Sequence, residues 1–202
     1  MLLSRIVLLP CLVTNFRSRT SDGSLIIRFM LMSADFNPSD ERPTQATCKV
    51  GECSTPFRWM VKQRQWRDGM GVVHLLKEVI QKLQPKPTHV VLNCGFWGHL
   101  TSSGLHNLFA AGAEIQKADG IRFVWKTMTH LSPKQSGKHP ELQEITDMQK
   151  KLARQHGWEV FDAYSVTHTY PEDYFYDGVH MRDKGTTNLN SRFLQALLKS
   201  LQ

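Results

Sequence analysis

No apolar run in this 202-residue sequence reaches the ~18 residues that a membrane-spanning helix requires. A transmembrane segment is therefore not expected. Cysteine is scarce: Cys11, Cys48, Cys53 and Cys94 are too few for a disulfide framework at this length. Cys48 and Cys53 would close a small loop in an oxidising compartment, but no second Cys or His pair stands at the interval a structural zinc site needs. Long runs of one charge are missing too. Lysine and arginine are scattered from Arg5 to Lys199, never more than two together, so the net charge of +7 reads as a solvated basic surface. With no nucleic-acid-binding motif beside that charge, neither a nucleic-acid partner nor a cofactor is expected.

The amino-terminal stretch faintly resembles a signal peptide but is not expected to be one. Met1 to Val13 carries one early Arg5 and an apolar core from Ile6, but the flank Thr14-Asn15-Phe16-Arg17 offers no small-residue cleavage motif. A buried helix or strand is expected there.

What is present fits one domain over residues 1–202, with 41% hydrophobic residues to build its core. Leu25 to Met32, Thr88 to Asn93, Ile121 to Lys126 and Glu159 to Asp162 are short, nearly solid apolar runs and predict buried strands. Between them, helical spacing runs through Gly71 to Leu83, Leu105 to Lys117 and Glu141 to His156, the last stopped by Gly157. Ser33 to Pro56, rich in Pro, Asp, Glu and Thr, predicts an irregular insertion. Strands alternating with helices indicate an α/β domain, a mainly parallel sheet covered on both faces. Ligands of such sheets sit beyond the carboxyl ends of the strands, where Asn93-Cys94-Gly95 and Lys126-Thr127 fall.

Near the carboxyl terminus stands Tyr176-Asp177-Gly178-Val179-His180-Met181. An acid three residues before a histidine, with glycine between, lets the carboxylate fold back onto the imidazole Nδ1–H and leaves Nε2 to take a proton. The bland reading of such a pair is a hydrogen-bonded surface loop. The surroundings favour more: Tyr170-Pro171-Glu172-Asp173 turns into it, Lys184-Gly185-Thr186-Thr187 is a polar exit loop, and an apolar-periodic helix follows through Phe193, Leu194, Leu197, Leu198 and Leu201.

Asp-Gly-Val-His before a final helix resembles the last sequence block of the SGNH/GDSL hydrolases, which supplies their catalytic Asp and His. Two further blocks are similar to the PC-esterase or trichome-birefringence-like branch, which acts in polysaccharide O-acetylation: Asn93-Cys94-Gly95-Phe96-Trp97 and Trp125-Lys126-Thr127-Met128-Thr129. The resembling region runs from about Trp66 to the end. It implies a three-layer α/β/α fold, an esterase or O-acetyltransferase activity on acylated carbohydrate or another small ester, and a secretory compartment. Asp177 and His180 take the catalytic places, and Gly95 lets the backbone approach an acyl group. Asn93 is either an oxyanion donor or a residue closing its strand; Trp97 is a sugar-stacking wall or plain packing; Lys126 holds a polar substrate or is solvated.

One block of the resemblance is missing. The family's Gly-Asp-Ser, following the first strand and carrying the nucleophile, does not occur. Ser21-Asp22-Gly23-Ser24 has similar letters but precedes a strand, and Leu3-Ser4-Arg5 resembles only the helical continuation of that block. The expectation is an SGNH-like domain lacking its first strand and its serine. A catalytically silent carbohydrate-binding or scaffold domain is the rival, and a basic surface binder the third reading.

Overall fold

Ser4 to Pro10 is a short apolar run whose Ile6 and Val7 favour extended backbone, and whose Pro10 can sit only at a strand end. In the computed structural model, which describes residues 4–10, 25–32, 57–59, 72–73, 76–82, 86–93 and 100–200, that run is strand β1 (Ser4–Pro10), hydrogen-bonded on both sides. It lies at the centre of a six-stranded sheet with β2 (Leu25–Met32), β3 (Phe57–Trp59), β4 (His89–Asn93), β5 (Arg122–Lys126) and β6 (Glu159–Phe161). The order is β3-β2-β1-β4-β5-β6, and all five pairings are parallel.

This corrects the expectation of a missing first strand: β1 fills that place. The chain moves outward from β1 first to one side and then to the other, so the order reverses between β1 and β4. A crevice opens outside the carboxyl ends at such a reversal. Pairing of Pro10 with Asn93, Leu92 with Trp125 and Lys126 with Phe161 puts these strand ends along one rim.

Alternation along β4 and β5 sends successive side chains to opposite faces. Val90, Leu92, Phe123 and Trp125 pack with residues of helices α1 (Ser102–Asp119) and α3 (Glu141–Gln155). Val91 and Val124 pack on the other face with Phe193 and Leu197 of α5 (Asp183–Ser200). The sheet is thus covered on both sides, as its solid apolar strands require. Two short helices, α2 (Pro133–Ser136) and α4 (Ala163–Thr167), and one 3-10 turn, Glu172–Tyr174, complete the described helices of the carboxyl-terminal half.

The α1/α3 face is the more aromatic. Phe109 meets Trp125 and Trp158 edge-on at 5.1 and 4.9 Å between ring centres, and Trp158 donates through Nε1 to the Phe109 carbonyl at 3.0 Å. Helix α1 makes room for that indole with Gly112, where a Cβ would lie 2.1 Å from Trp158 Cζ2.

Helix ends follow the sequence signals. The Thr101 hydroxyl caps α1 by accepting from Gly104 N, and Gly120 ends it in the left-handed conformation at φ 68°. The expected helix over Gly71 to Leu83 is described in part: Leu76–Ile80 winds as a π-turn, closed by Gln81 N donating to Leu76 O at 2.8 Å. Its buried Val72, Leu76 and Ile80 belong to the α1/α3 core. The expected insertion 33–56, with Cys48 and Cys53, lies outside the described residues.

Candidate active site

Asp177 and His180 are three residues apart in a loop whose backbone is pinned at both shoulders. Phe175 bridges Met181, Tyr176 N donates to His180 O at 2.8 Å, and Arg182 N donates to Tyr174 O at 2.8 Å. At the tip, Gly178 has φ 89°, open to glycine and strained for other residues. A Cβ there would also come within 2.3 Å of Gln135 Cγ.

That geometry turns the Asp177 carboxylate inward along its own loop. Oδ1 accepts from Val179 N at 3.0 Å and His180 N at 2.8 Å, while Oδ2 meets His180 Nδ1 at 2.7 Å. The carboxylate accepts only, so Nδ1 carries the proton and Nε2 presents a lone pair. The His180 backbone amide, the His180 ring and the Val179 amide together hold the Asp177 pKa far below the usual carboxylate range. Asp177 therefore stays ionised, and the imidazole keeps one tautomer. Both side chains remain about half open to solvent, at 50% for His180 and 57% for Asp177, so Nε2 is reachable by a substrate.

The loop is fastened to the segment that leaves β5. Ser132 N donates to Gly178 O at 2.8 Å, and Val179 packs with Met128, Leu131, Leu142 and Tyr164. Buried Ser132 donates through Oγ to Glu172 Oε1 at 3.1 Å, and the other Glu172 oxygen accepts from Lys134 N at 3.2 Å. Sequence reasoning missed Ser132, Glu172 and Gln135 as supports of this loop. Contacts across some forty residues leave no mark in local spacing.

Asn93 and Lys126 meet at the rim itself. Asn93 Nδ2 donates to the carbonyls of Lys126 and Thr127, both at 2.9 Å, so its two protons tie the end of β4 to the exit of β5. Between the two roles the sequence left open for Asn93, this favours closing the strand. Lys126 is half-buried as the last residue of β5. Thr127 continues the fastening: its amide donates to Phe161 O at 3.0 Å, and its hydroxyl accepts from Tyr164 N at 2.9 Å. One segment, 127–132, thus bonds Asn93 at one end and the Gly178 carbonyl at the other, joining strand ends to dyad. Gly95 and Trp97 lie outside the described residues.

Two further sequence readings are corrected. Lys184 to Thr187 is no exit loop but the first turns of α5, which starts at Asp183; Gly185 lets that helix approach Tyr174, whose carbonyl oxygen would stand 3.0 Å from a Cβ. Ser4 does not lie in a helical continuation of the missing block. It opens β1, six residues before Pro10, which at ~3.3 Å per residue puts it about 20 Å from the carboxyl rim. Ser24 immediately precedes Leu25, which pairs with Ser4 at that same far end. The segment that leaves the carboxyl end of β1 is residues 11–24, outside the described residues.

Two solved structures superpose on nearly the whole chain. A lipase/acylhydrolase from Enterococcus faecalis matches with a TM-score of 0.58 at 16% identity, over 96% of this chain and 95% of its own. A catalytic mutant of an acetylxylan esterase from Geobacillus stearothermophilus matches with a TM-score of 0.55 at 14% identity, over 95% of this chain and 93% of its own. The fold is SGNH-like. At these identities the likeness is one of architecture. Neither the protein-family models nor the curated proteins match the sequence.

Proposed function

We propose that this chain is built for SGNH-type ester chemistry, as a carboxylic-ester hydrolase or O-acyltransferase acting on acylated carbohydrate. The observation that carries the reading is the 2.7 Å bond from His180 Nδ1 to an Asp177 carboxylate whose other oxygen is held by two amides. His180 Nε2 takes the proton of a nucleophilic hydroxyl as that oxygen attacks the acyl carbon. The same proton then passes to the leaving sugar oxygen as the ester bond breaks. Water or a second sugar hydroxyl attacks the acyl group in the return half. Asp177 fixes the tautomer and balances the imidazolium charge.

We assign the nucleophile to the stretch of sequence between β1, whose carboxyl end Pro10 pairs with Asn93, and β2. Its hydroxyl and thiol groups ahead of Ser24 are Cys11, Thr14, Ser18, Thr20 and Ser21. Gly95 lines the acyl site and Trp97 and Lys126 the sugar side, by the resemblance to the O-acetylation branch. Acetate release from acetylated xylo-oligosaccharides and from p-nitrophenyl acetate tests the reading. It expects turnover with the intact chain and loss on His180→Ala.

A second reading is favoured by one observation, the absence of Gly-Asp-Ser from the sequence. In it the domain retains the fold and binds acylated carbohydrate without turning it over. Oligosaccharide binding with no acetate release above buffer, in both the intact chain and His180→Ala, would select this reading.

A further inference from the structure

The loop that aims His180 also presents an aromatic ring. Among the described residues, Tyr176 is the one large hydrophobic side chain that stands exposed, at 61%. A single exposed aromatic is ordinary on a protein surface. Its position and its backing set Tyr176 apart.

Position comes from the bridge at the base of the loop. Phe175 and Met181 oppose each other across antiparallel backbone, and both pack inward with Ala163 and Leu189. Side chains of extended backbone alternate between faces, so the next pair toward the tip, Tyr176 and His180, faces outward. Tyr176 N donates to His180 O at 2.8 Å, and residues paired in this way keep their Cβ atoms about 4.5–5.5 Å apart on one face. Phenol ring and imidazole are therefore neighbours on the open side of the loop.

Backing comes from Arg182. Its guanidinium carbon lies 4.9 Å from the centre of the Tyr176 ring, held there by Nε donating to Phe175 O at 2.8 Å. One face of the ring is covered by a fixed cation, and the opposite face is left to a ligand. A pyranose presents C–H groups on its face and hydroxyls around its edge, so it can stack on the ring while a hydroxyl accepts from the guanidinium. A long acyl chain gains instead from enclosure in an apolar cleft, which a ring standing out on a loop does not provide.

We propose that Tyr176, backed by Arg182, is the platform on which the sugar of an acylated carbohydrate stacks beside His180, so that sugar esters are preferred over simple ones. The substrate class rests on the ester reading above; the platform is a claim about binding, which can be measured without turnover.

Two readouts on the full chain test it. The first is calorimetric titration with acetylated xylotetraose in the His180→Ala background, where no hydrolysis adds heat. Adding Tyr176→Ala should raise the dissociation constant about 3–10-fold, whereas Tyr176→Phe, which keeps the ring, should stay within about twofold. The second readout keeps His180 and compares kcat/KM for acetylated xylotetraose with kcat/KM for p-nitrophenyl acetate. Their ratio should fall by the same factor in Tyr176→Ala, carried by KM. A ring needed only for the shape of the loop would lower both values together and leave the ratio unchanged. Ring-dependent sugar binding with no turnover in any chain would sink the ester reading and keep the platform. No sugar binding, or binding and a ratio indifferent to Tyr176→Ala, would overturn the platform, even where p-nitrophenyl acetate is turned over and the ester reading stands.

Discussion

Gly112 and Gly178 each exclude a side chain, but for opposite reasons. Gly112 sits in ordinary helical backbone and is glycine because the Trp158 ring lies where a methyl group would be. Gly178 sits in a loop and is glycine because its φ of 89° belongs to few other residues. One makes the scaffold close; the other makes the dyad point. The aromatic face around Gly112 is held by area and shape, whereas the dyad loop is held by a handful of hydrogen bonds to Asp177, Ser132 and Glu172. Damage to the first should therefore appear in stability, and damage to the second in chemistry.

The widest separation of the two is expected from Asp177→Asn. An amide cannot accept from Nδ1–H and from two backbone amides as a carboxylate does, so the imidazole loses its fixed tautomer. Turnover of p-nitrophenyl acetate should fall about 10²–10⁴-fold while the unfolding midpoint at neutral pH moves little. Equal turnover in both proteins would remove Asp177 from the mechanism.

Gly112→Ala should do the reverse. Its methyl group must displace a ring already hydrogen-bonded to Phe109 O, costing about 1–3 kcal/mol, or roughly 2–4 °C of Tm for each kcal/mol. Per folded molecule, turnover should hold. A Tm within a degree of the parent would show that the aromatic layer yields more easily than its packing implies.

Gly178→Ala is predicted between these. Gln135 is flexible enough to move aside, so the remaining cost is backbone strain of about 1–2 kcal/mol, with turnover reduced because the loop can relieve it by re-aiming Asp177. Circular dichroism melts beside kinetics on one preparation would separate the two effects; loss of stability alone would contradict the assigned role.

The smallest effects belong to the fastening and to pH. Ser132→Ala removes the hydroxyl bond to Glu172 but leaves the amide bond to Gly178, so a loss of about 0.5–1.5 kcal/mol in urea unfolding is expected. Asp177 has a native pKa below its unfolded value of about 3.9, so its contribution is present above that pH and fades as pH falls toward the lower native value. The Tm difference between parent and Asp177→Asn should accordingly shrink below about pH 4. A difference that grows on acidification would reverse the sign of the effect.

The dyad was legible in the sequence because its contact is local: three residues and one glycine contain the whole geometry. Most strands and helices were legible for a similar reason, since solid runs such as Val90 to Leu92 and the spacing of Leu105, Leu108 and Phe109 record burial directly. Strand β1 was not. Its apolar run has no period to separate strand from helix, and only pairing with both β2 and β4 decides the matter. The π-turn at Leu76–Ile80 keeps the apolar spacing of a helix, so the change from i+4 to i+5 bonding was invisible. Ser132, Glu172 and the partners of Asn93 depend on segments brought together by the sheet, and no local pattern announces them.

The most direct measurement is covalent trapping. Incubation of the full chain with a fluorophosphonate, followed by peptide mapping, should label one residue between Cys11 and Ser21, with labelling lost in His180→Ala. No label, a label outside that stretch, or one indifferent to His180 would contradict the claim that this dyad activates a nucleophile leaving the central strand.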